Sequence, residues 1–281
     1  MNILVTGGSG FIGNRLLKIL KYKNLYLISS KRRKNFIKLD LLKPDYNKIK
    51  NLKIDVCIHL AWSGIPNYTK KNSYLNFEAS KKLFEYLLKN GCKKIISLGS
   101  CWEYKENFGK KNENTIEKPE NIFGHYKNKL AVYGLRQARK FEATFTWFRV
   151  FYVYGDKKKG LLNQLNLSFK KNTKILLKNP HKYNDFIFVD ELVKCIKKSI
   201  KKNQNGIFNL GSGTKTTTLK FCKEYCKIKK ININKIIEYN SYKKQKKSGI
   251  WACMRKTKYK FNFYSNLSLK SGINKTLNYI F

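Results

Sequence analysis

The chain has 281 residues, of which 42% are hydrophobic and 14% aromatic, so it is long enough to bury a sizeable core. It carries 60 Lys and Arg against 17 Asp and Glu, a net charge of +43, yet no stretch approaches the ~20 apolar residues of a membrane span. The seven cysteines form no CxxC pair and no cluster with histidine at metal-ligand spacing, which argues against a disulfide framework and against a metal site.

The basic residues are spread over nearly the whole chain instead of forming one arm or stripe. This distribution is typical of a chain-wide compositional bias, so we expect no nucleic-acid partner, although the charge favours an anionic ligand. The N-terminal segment is predicted to be a strand and not a signal peptide, and we therefore expect a cytoplasmic protein.

The first element is a short apolar strand at 2–5, followed by a glycine-rich turn and an amphipathic helix at 14–22. The turn contains Gly7, Gly10 and Gly13 at three-residue spacing. The first glycine permits a tight turn, the second allows a pyrophosphate to approach the backbone, and the third lets the helix pack on the strand. The free N–H groups of the helix then face the phosphates, so this segment predicts a dinucleotide site.

Strand-like runs recur at 25–29, 56–60, 94–98 and 144–150, and segments of helical periodicity separate them, including 74–90 and 127–141. This alternation predicts an α/β fold with a doubly wound parallel sheet. The pattern loosens after residue 155, and a strand returns at 206–210. We therefore predict a dinucleotide-binding domain at 1–155 and a smaller, interleaved C-terminal substrate lobe at 156–281.

The second strand ends in Ser29 and Ser30, and Lys31, Arg32 and Arg33 follow. An NAD site typically has a carboxylate here for the ribose 2′-hydroxyl, whereas a 2′-phosphate favours hydroxyls and cations. The sequence therefore predicts NADP(H) in preference to NAD(H).

Further motifs follow in a fixed order along the chain. They are His59-Leu60-Ala61-Trp62, Asn76, Leu98-Gly99-Ser100, the run 149–155, the run 185–190, Asn209-Leu210-Gly211-Ser212-Gly213 and Leu269-x-x-Gly272-Ile273. Together with the GxxGxxG turn, this set resembles the extended short-chain dehydrogenases/reductases that act on nucleotide-activated sugars, the NAD-dependent epimerase/dehydratase family. The resemblance covers nearly the whole chain and implies a Rossmann fold.

The resemblance also implies a chemistry: hydride transfer at a sugar carbon, with a tyrosine as general acid/base, a lysine that lowers its pKa and a Ser or Thr hydroxyl on the reacting oxygen. Ser100 matches the hydroxyl, and Lys127 matches the lysine that orients the nicotinamide ribose. The implied cofactor-binding residues are Gly7, Gly10, Phe11, Ile12, Gly13, Ser29, Ser30, Lys31, Arg32, Asp40, Leu41, Leu60, Ala61, Asn76 and Lys127. The implied substrate-binding residues are Trp62, Ser100, Trp102, Arg149, Tyr152 and Asn184.

The expected catalytic tyrosine is absent, because Phe123 stands four residues before Lys127. Three explanations remain open: an engineered Tyr-to-Phe change, a substitute acid, or a catalytically impaired or non-catalytic protein. The candidates for a substitute acid are His125, Tyr126 and Cys101. A second register, which pairs His125 with Lys129, loses the glycine after the catalytic position and is less favoured.

Other departures from the family pattern reduce the number of reactions that the resemblance allows. Family dehydratases carry an Asp-Glu pair directly after the Ser or Thr, and here those positions are Cys101 and Trp102, which disfavours dehydration. Asn184 stands where many relatives have an arginine that grips the diphosphate. The resemblance therefore implies a reductase or epimerase of a nucleotide-activated, 4-keto deoxy sugar in surface glycan biosynthesis, and a homodimer formed through the helices at 74–90 and 127–141.

Overall fold

The computed structural model describes residues 1–156, 158–239 and 247–278. Residue 157 and the segments 240–246 and 279–281, which belong to the predicted substrate lobe, lie outside the described residues.

The strands follow in chain order. They are β1 (Asn2–Thr6), β2 (Asn24–Ser29), β3 (Ile37–Lys38), β4 (Val56–His59), β5 (Lys94–Ser100), β6 (Gly109–Lys111), β7 (Thr144–Val150), β8 (Tyr152–Tyr154), β9 (Ile175–Leu176), β10 (Tyr183–Phe188), β11 (Gly206–Leu210), β12 (Lys215–Thr217), β13 (Ile237–Glu238) and β14 (Ile250–Ala252). The α-helices are α1 (Phe11–Ile19), α2 (Lys70–Lys89), α3 (Ile122–Lys140), α4 (Gly160–Lys171), α5 (Val189–Ile200), α6 (Thr218–Lys229), α7 (Arg255–Phe261) and α8 (Leu269–Asn278).

Seven strands form one parallel sheet in the order β11-β7-β5-β4-β1-β2-β3. The chain leaves β1 in one direction and returns across it to β4, so the order reverses beside β1, and ligands of open α/β sheets bind at such a switch point. The predicted α/β fold with a doubly wound parallel sheet is confirmed.

Both faces of this sheet are buried, which explains the nearly continuous apolar runs of its strands. Alternate residues of β1 show this: Ile3 and Val5 face one core with α1 and α5, while Leu4 faces a second core with α2 and α3. None of the helices in the described ranges is long and apolar enough to cross a membrane.

Helices α1, α2 and α3 all begin earlier than the periodicity predicts, and polar side chains cap the last two. Thr69 caps α2 by accepting a hydrogen bond from Asn72 N at 3.3 Å, and Asn121 caps α3 by accepting one from Gly124 N at 2.8 Å. The early start of α3 includes Phe123 in its first turn.

The small sheets outside the seven-stranded sheet combine strands from distant parts of the chain. Strand β10 lies between β12 and β8, and β6 from the first half of the chain pairs with β14. Strand β11, although it lies within the predicted lobe in sequence, is an edge strand of the large sheet.

Candidate active site

The glycine turn after β1 is tightly packed at two of its three glycines. A Cβ on Gly7, where φ is +70°, would lie 2.6 Å from Ala61 N, and one on Gly13 would lie 2.2 Å from Gly7 O. A Cβ on Gly10 would meet only Gly7 O, at 3.2 Å. The turn is therefore closed against the protein at Gly7 and Gly13 and open at Gly10, where a phosphate can approach the backbone.

The N-terminus of α1 is suited to an anion. Gly10 is its N-cap, no side chain caps it, and its first turn carries no acidic residue. Uncapped N–H groups and the positive end of the helix dipole together bind phosphate. The residues present thus fit the diphosphate of a dinucleotide, and Phe11 and Ile12 begin the helix beside it.

The residues predicted near the adenosine half lie at the carboxyl end of β2. Ser29 is buried and its hydroxyl accepts a hydrogen bond from Lys31 N at 3.2 Å, while Ser30, Lys31 and Arg32 are exposed. Asp40 is exposed and accepts a hydrogen bond from Leu42 N at 3.0 Å. Leu41 packs on the core between the sheet, α2 and α3.

The segment after β4 is anchored to β1 and to α2. Leu60 N donates to Thr6 O and Ala61 N donates to the Thr6 hydroxyl, at 3.1 and 3.3 Å. The Asn76 amide is used inside the protein, because it accepts from Ser63 N at 2.6 Å and donates to Ser63 O at 3.0 Å. Asn76 therefore fixes the loop at 60–69.

Lys127 reaches the carboxyl end of β5 from α3. Its ammonium donates to Leu98 O at 2.8 Å and lies 3.8 Å from the centroid of the Trp62 ring. Burial lowers the pKa of Lys127 to about 7, and the nearby Glu103 carboxylate opposes that shift. A lysine in this environment titrates near neutral pH.

Ser100 ends β5 and begins the short 3₁₀ turn at Cys101–Glu103. Its hydroxyl accepts a hydrogen bond from Trp102 N at 3.2 Å, and its backbone N–H donates to Glu103 Oε1 at 2.7 Å. The hydroxyl proton remains able to donate to a ligand oxygen, which is the role predicted for it.

Phe123 is buried in a cluster of aromatic rings. Its centroid lies 4.8 Å from that of Tyr68, 5.5 Å from that of Trp62 and 5.9 Å from that of Trp102. We call these four residues the aromatic cluster. Sequence reasoning missed Tyr68, because it lies in the loop before α2, 55 positions from Phe123 by their numbers in the chain.

The three predicted substitute acids are not equivalent in the structure. His125 is exposed, and the Tyr126 ring packs against Tyr74 and Phe77 of α2, away from the aromatic cluster. Cys101 is buried at the start of the 3₁₀ turn, and burial raises the pKa of its thiol to about 12. A thiol that holds its proton this strongly is a poor acid at neutral pH.

Among the predicted substrate-binding residues, Tyr152 contacts the aromatic cluster through Trp102. Its hydroxyl accepts a hydrogen bond from Trp102 Nε1 at 3.2 Å, and burial raises its pKa to about 12. Asn184 is buried, and its amide donates to Lys182 O at 3.3 Å and to the Thr218 hydroxyl at 3.1 Å.

Arg149 is also turned into the protein. It is fully buried, donates to Glu103 Oε2 at 2.8 Å and pairs with Glu117. The Tyr104 ring lies 4.6 Å from its guanidinium carbon. The structure therefore makes Arg149 part of a buried ion network behind Ser100 and not part of an open binding surface.

His59 is a buried polar residue to which sequence reasoning gave no role. It forms hydrogen bonds through Nδ1 with the Thr6 hydroxyl at 2.8 Å and through Nε2 with the Ser80 hydroxyl at 2.9 Å. Burial lowers its pKa to about 3, and Lys127 lowers it further, so the imidazole is neutral. It ties β1, β4 and α2 together directly below the site.

The family can be assigned from the sequence as a whole. The sequence model of the NAD dependent epimerase/dehydratase family matches residues 3–211, about three quarters of the chain. The chain belongs to this family.

The dTDP-4-dehydro-6-deoxyglucose reductase of Escherichia coli is 25% identical to this member over 308 aligned positions, covering 98% of this chain and 96% of the relative. The UDP-glucose 4-epimerase of Thermotoga maritima, solved with UDP-glucose, superposes with a TM-score of 0.86 at 23% identity, covering 99% of this chain and 98% of that one. MoeE5, solved with UDP-glucuronic acid and NAD, gives a TM-score of 0.84 at 20% identity, covering 98% and 97%. These structures share the fold of this family member.

The prediction of NADP(H) in preference to NAD(H) is wrong, because NAD is the dinucleotide in both MoeE5 complexes. The prediction failed because it relied on the basic residues that follow β2. Ser30, Lys31 and Arg32 are exposed, and in a chain of net charge +43 such cations belong to the general surface. Their presence is therefore not evidence for a 2′-phosphate site.

Proposed function

We propose that this family member catalyses NAD-dependent reduction or epimerisation of a nucleotide-activated sugar. The observation that carries the proposal is the convergence of Lys127 and Ser100 at the carboxyl end of β5. The Lys127 ammonium is bound to Leu98 O, two residues before the Ser100 hydroxyl. Ligands of open α/β sheets bind outside this end of the strands.

In this reaction NAD supplies the acceptor or donor of a hydride. The backbone of the turn around Gly10 and the N-terminus of α1 hold the diphosphate. The Ser100 hydroxyl donates a hydrogen bond to the reacting oxygen of the sugar, and Lys127 orients the ribose and supplies positive charge where an alkoxide develops. The aromatic cluster keeps water from the reacting carbon.

The substrate class that we propose is a 4-keto deoxy sugar, and the function of the Escherichia coli relative supports it. The cytoplasm as the location and surface glycan synthesis as the role are parts of the same proposal. We also propose a homodimer formed through α2 and α3. Its support is the exposure of apolar side chains on these helices: Tyr74, Leu75 and Val132.

Two assays test the proposed activity. The purified protein is mixed with NADH and dTDP-4-dehydro-6-deoxyglucose, and loss of NADH absorbance reports reduction. It is also mixed with NAD⁺ and UDP-glucose, and proton NMR of the sugar reports epimerisation. Ser100→Ala, which removes the hydroxyl without adding bulk, serves as the matched variant and reduces turnover by roughly 10²–10³-fold.

A second candidate function is dinucleotide binding without catalysis, and the missing hydroxyl of Phe123 favours it. Calorimetry with NAD⁺ and with NADH, combined with the two turnover assays, separates the two functions. Binding of NAD without turnover of any sugar, by both the native chain and Phe123→Tyr, supports the non-catalytic role. It also rejects the enzymatic one.

A further inference from the structure

We propose that Tyr68 is the general acid/base of this site, in place of the hydroxyl that Phe123 lacks. This inference rests on the proposed function. The Tyr68 ring lies 4.8 Å from the Phe123 ring, centroid to centroid, with an angle of 51° between the planes. The loop after β4 thus brings a phenol to the site, while Phe123, at the position of the family's catalytic tyrosine on α3, contributes only an apolar ring.

The loop at 60–69 turns Tyr68 inward. Residues 63–67 are exposed, whereas Trp62 before them and Tyr68 after them are half-buried. Tyr68 directly precedes Thr69, the N-cap of α2. Because a capping residue has a fixed backbone conformation and α2 is 20 residues long, the end of this loop is held by a rigid element.

The loop is also held along its length. Asn76 bonds to both backbone groups of Ser63, and Asn72 Nδ2 donates to Asn67 O at 3.2 Å. Gly64 has φ of +84°, a conformation that other residues rarely adopt, and it allows the turn. Tyr68 is therefore positioned by the protein itself, as an acid must be to act without reorganisation.

The surroundings of Tyr68 keep its phenol protonated at neutral pH. Trp102 packs against it at 5.3 Å between ring centroids, and burial raises its pKa. The Lys127 ammonium lies 5.6 Å from the centroid of the Phe123 ring, so Phe123 contacts both Lys127 and Tyr68. A phenol that keeps its proton at neutral pH can donate that proton to a ligand oxygen.

Tyr152 is the other phenol at this site, and its geometry suits a different role. Its hydroxyl accepts a hydrogen bond from Trp102 Nε1, which holds the indole in place. Burial raises the pKa of the Tyr152 phenol to about 12, with the Cys101 thiol and the Tyr68 phenol adding to that shift, so it is a weak proton donor. We assign Tyr152 to the support of Trp102.

In the reduction of a ketone, Tyr68 gives its phenol proton to the carbonyl oxygen while NADH, the reductant, gives a hydride to the carbonyl carbon. The π electrons of the C=O bond form the new O–H bond, and the hydride electrons form the new C–H bond. An alcohol, NAD⁺ and a Tyr68 phenolate result, and water returns a proton to the phenolate. Oxidation of an alcohol runs through the same bonds in reverse.

The experiment compares the wild type with Tyr68→Phe, Tyr152→Phe and the double variant Tyr68→Phe/Phe123→Tyr, using NADH with dTDP-4-dehydro-6-deoxyglucose and NAD⁺ with UDP-glucose. We expect Tyr68→Phe to lower kcat by about 10²–10⁴-fold, with KM changed by less than about threefold. The double variant should regain at least about tenfold in kcat, because it returns a phenol to the family position. Tyr259→Phe, an exposed tyrosine on α7, is the matched control and leaves kcat unchanged.

A crystal structure of the wild type with NAD⁺ and UDP-glucose provides a measurement independent of turnover. We expect the Tyr68 hydroxyl oxygen to lie within about 2.6–3.2 Å of a sugar hydroxyl oxygen. Unchanged NAD affinity and an unchanged thermal unfolding midpoint in Tyr68→Phe exclude misfolding as the cause of its loss.

The possible failures are distinguishable. A wild type that turns over neither sugar rejects the proposed function, and the role of Tyr68 with it. An active wild type whose Tyr68→Phe variant keeps kcat within about threefold rejects the role of Tyr68 alone. The same conclusion follows if Tyr152→Phe removes the activity instead, or if the sugar binds beyond the reach of Tyr68.

Discussion

The Lys127 ammonium lies 3.8 Å from the centroid of the Trp62 ring, which joins α3 to the loop after β4. The ring face attracts the cation and offsets part of the cost of burying it. The remainder of that cost appears as a pKa lowered to about 7. Lys127 is therefore a charged group that the fold accommodates at the expense of stability.

Replacing Lys127 should change how stability depends on pH. The unfolded lysine has a pKa near ~10.4. Between the folded and unfolded values the unfolded chain binds more protons, so the free energy of unfolding rises with pH there, by up to about 1.4 kcal/mol per pH unit. Lys127→Met lacks this contribution. Urea unfolding from neutral to alkaline pH should show the wild type gaining stability relative to the variant, and parallel curves would refute the buried titration.

The glycine turn provides a matched pair of variants. Gly13→Ala puts a methyl group 2.2 Å from Gly7 O and 2.6 Å from Gly8 Cα, both backbone atoms that cannot move away cheaply. We expect it to destabilise the protein by roughly 1–3 kcal/mol or more. Gly10→Ala meets only Gly7 O, at 3.2 Å, and should fold normally but bind NAD weakly.

Thermal unfolding and calorimetry with NAD⁺ separate these two effects. A stable Gly13→Ala protein, or a Gly10→Ala protein with full NAD affinity, contradicts the assignment of the open and closed positions in the turn.

Loss of the Glu103 charge should be costly. Glu103→Gln leaves Arg149 fully buried beside a neutral amide, and breaking a buried pair in this way costs about 3–5 kcal/mol. The control is Glu117→Gln, since Glu117 pairs with the same arginine but its side chain is 29% exposed. Its replacement should cost less than half as much. Equal losses in urea unfolding would mean that solvent reaches both pairs alike.

The loop that carries Trp62 and Tyr68 depends on Asn76. Asn76→Ala removes its two hydrogen bonds to the Ser63 backbone and should cost about 1–3 kcal/mol. Ser63→Ala is the control, because both bonds use Ser63 backbone atoms. Limited proteolysis should cut the loop at 60–69 faster in Asn76→Ala than in the wild type or in Ser63→Ala. Equal cleavage rates would show that the loop is held by other contacts.

The sequence predicts the parts of this molecule that local physics determines. The alternation of buried strands and amphipathic helices predicts the sheet, because each element carries its own periodicity. The glycine spacing likewise predicts the turn at Gly7, since its conformation depends on neighbouring residues. Thr69 and Asn121 are residue types that commonly cap helices, but apolar periodicity alone predicts later starts for α2 and α3.

Contacts between residues far apart in the chain could not be predicted from local sequence patterns. The sequence puts Arg149 among the substrate-binding residues, because nothing local indicates that Glu103, 46 residues earlier, packs against it. Tyr68 stands among exposed loop residues with no periodicity, so nothing local indicates that it meets Phe123. The cations after β2 carried little information about the dinucleotide, because a chain of net charge +43 has cations everywhere.

The pairing of β6 with β14 can form only late in synthesis. Strand β6 leaves the ribosome with the first half of the chain, but its partner is not made until residues 250–252. The edge of the large sheet also waits for β11, at 206–210. A nascent chain thus exposes unpaired strand edges through much of translation, which invites aggregation.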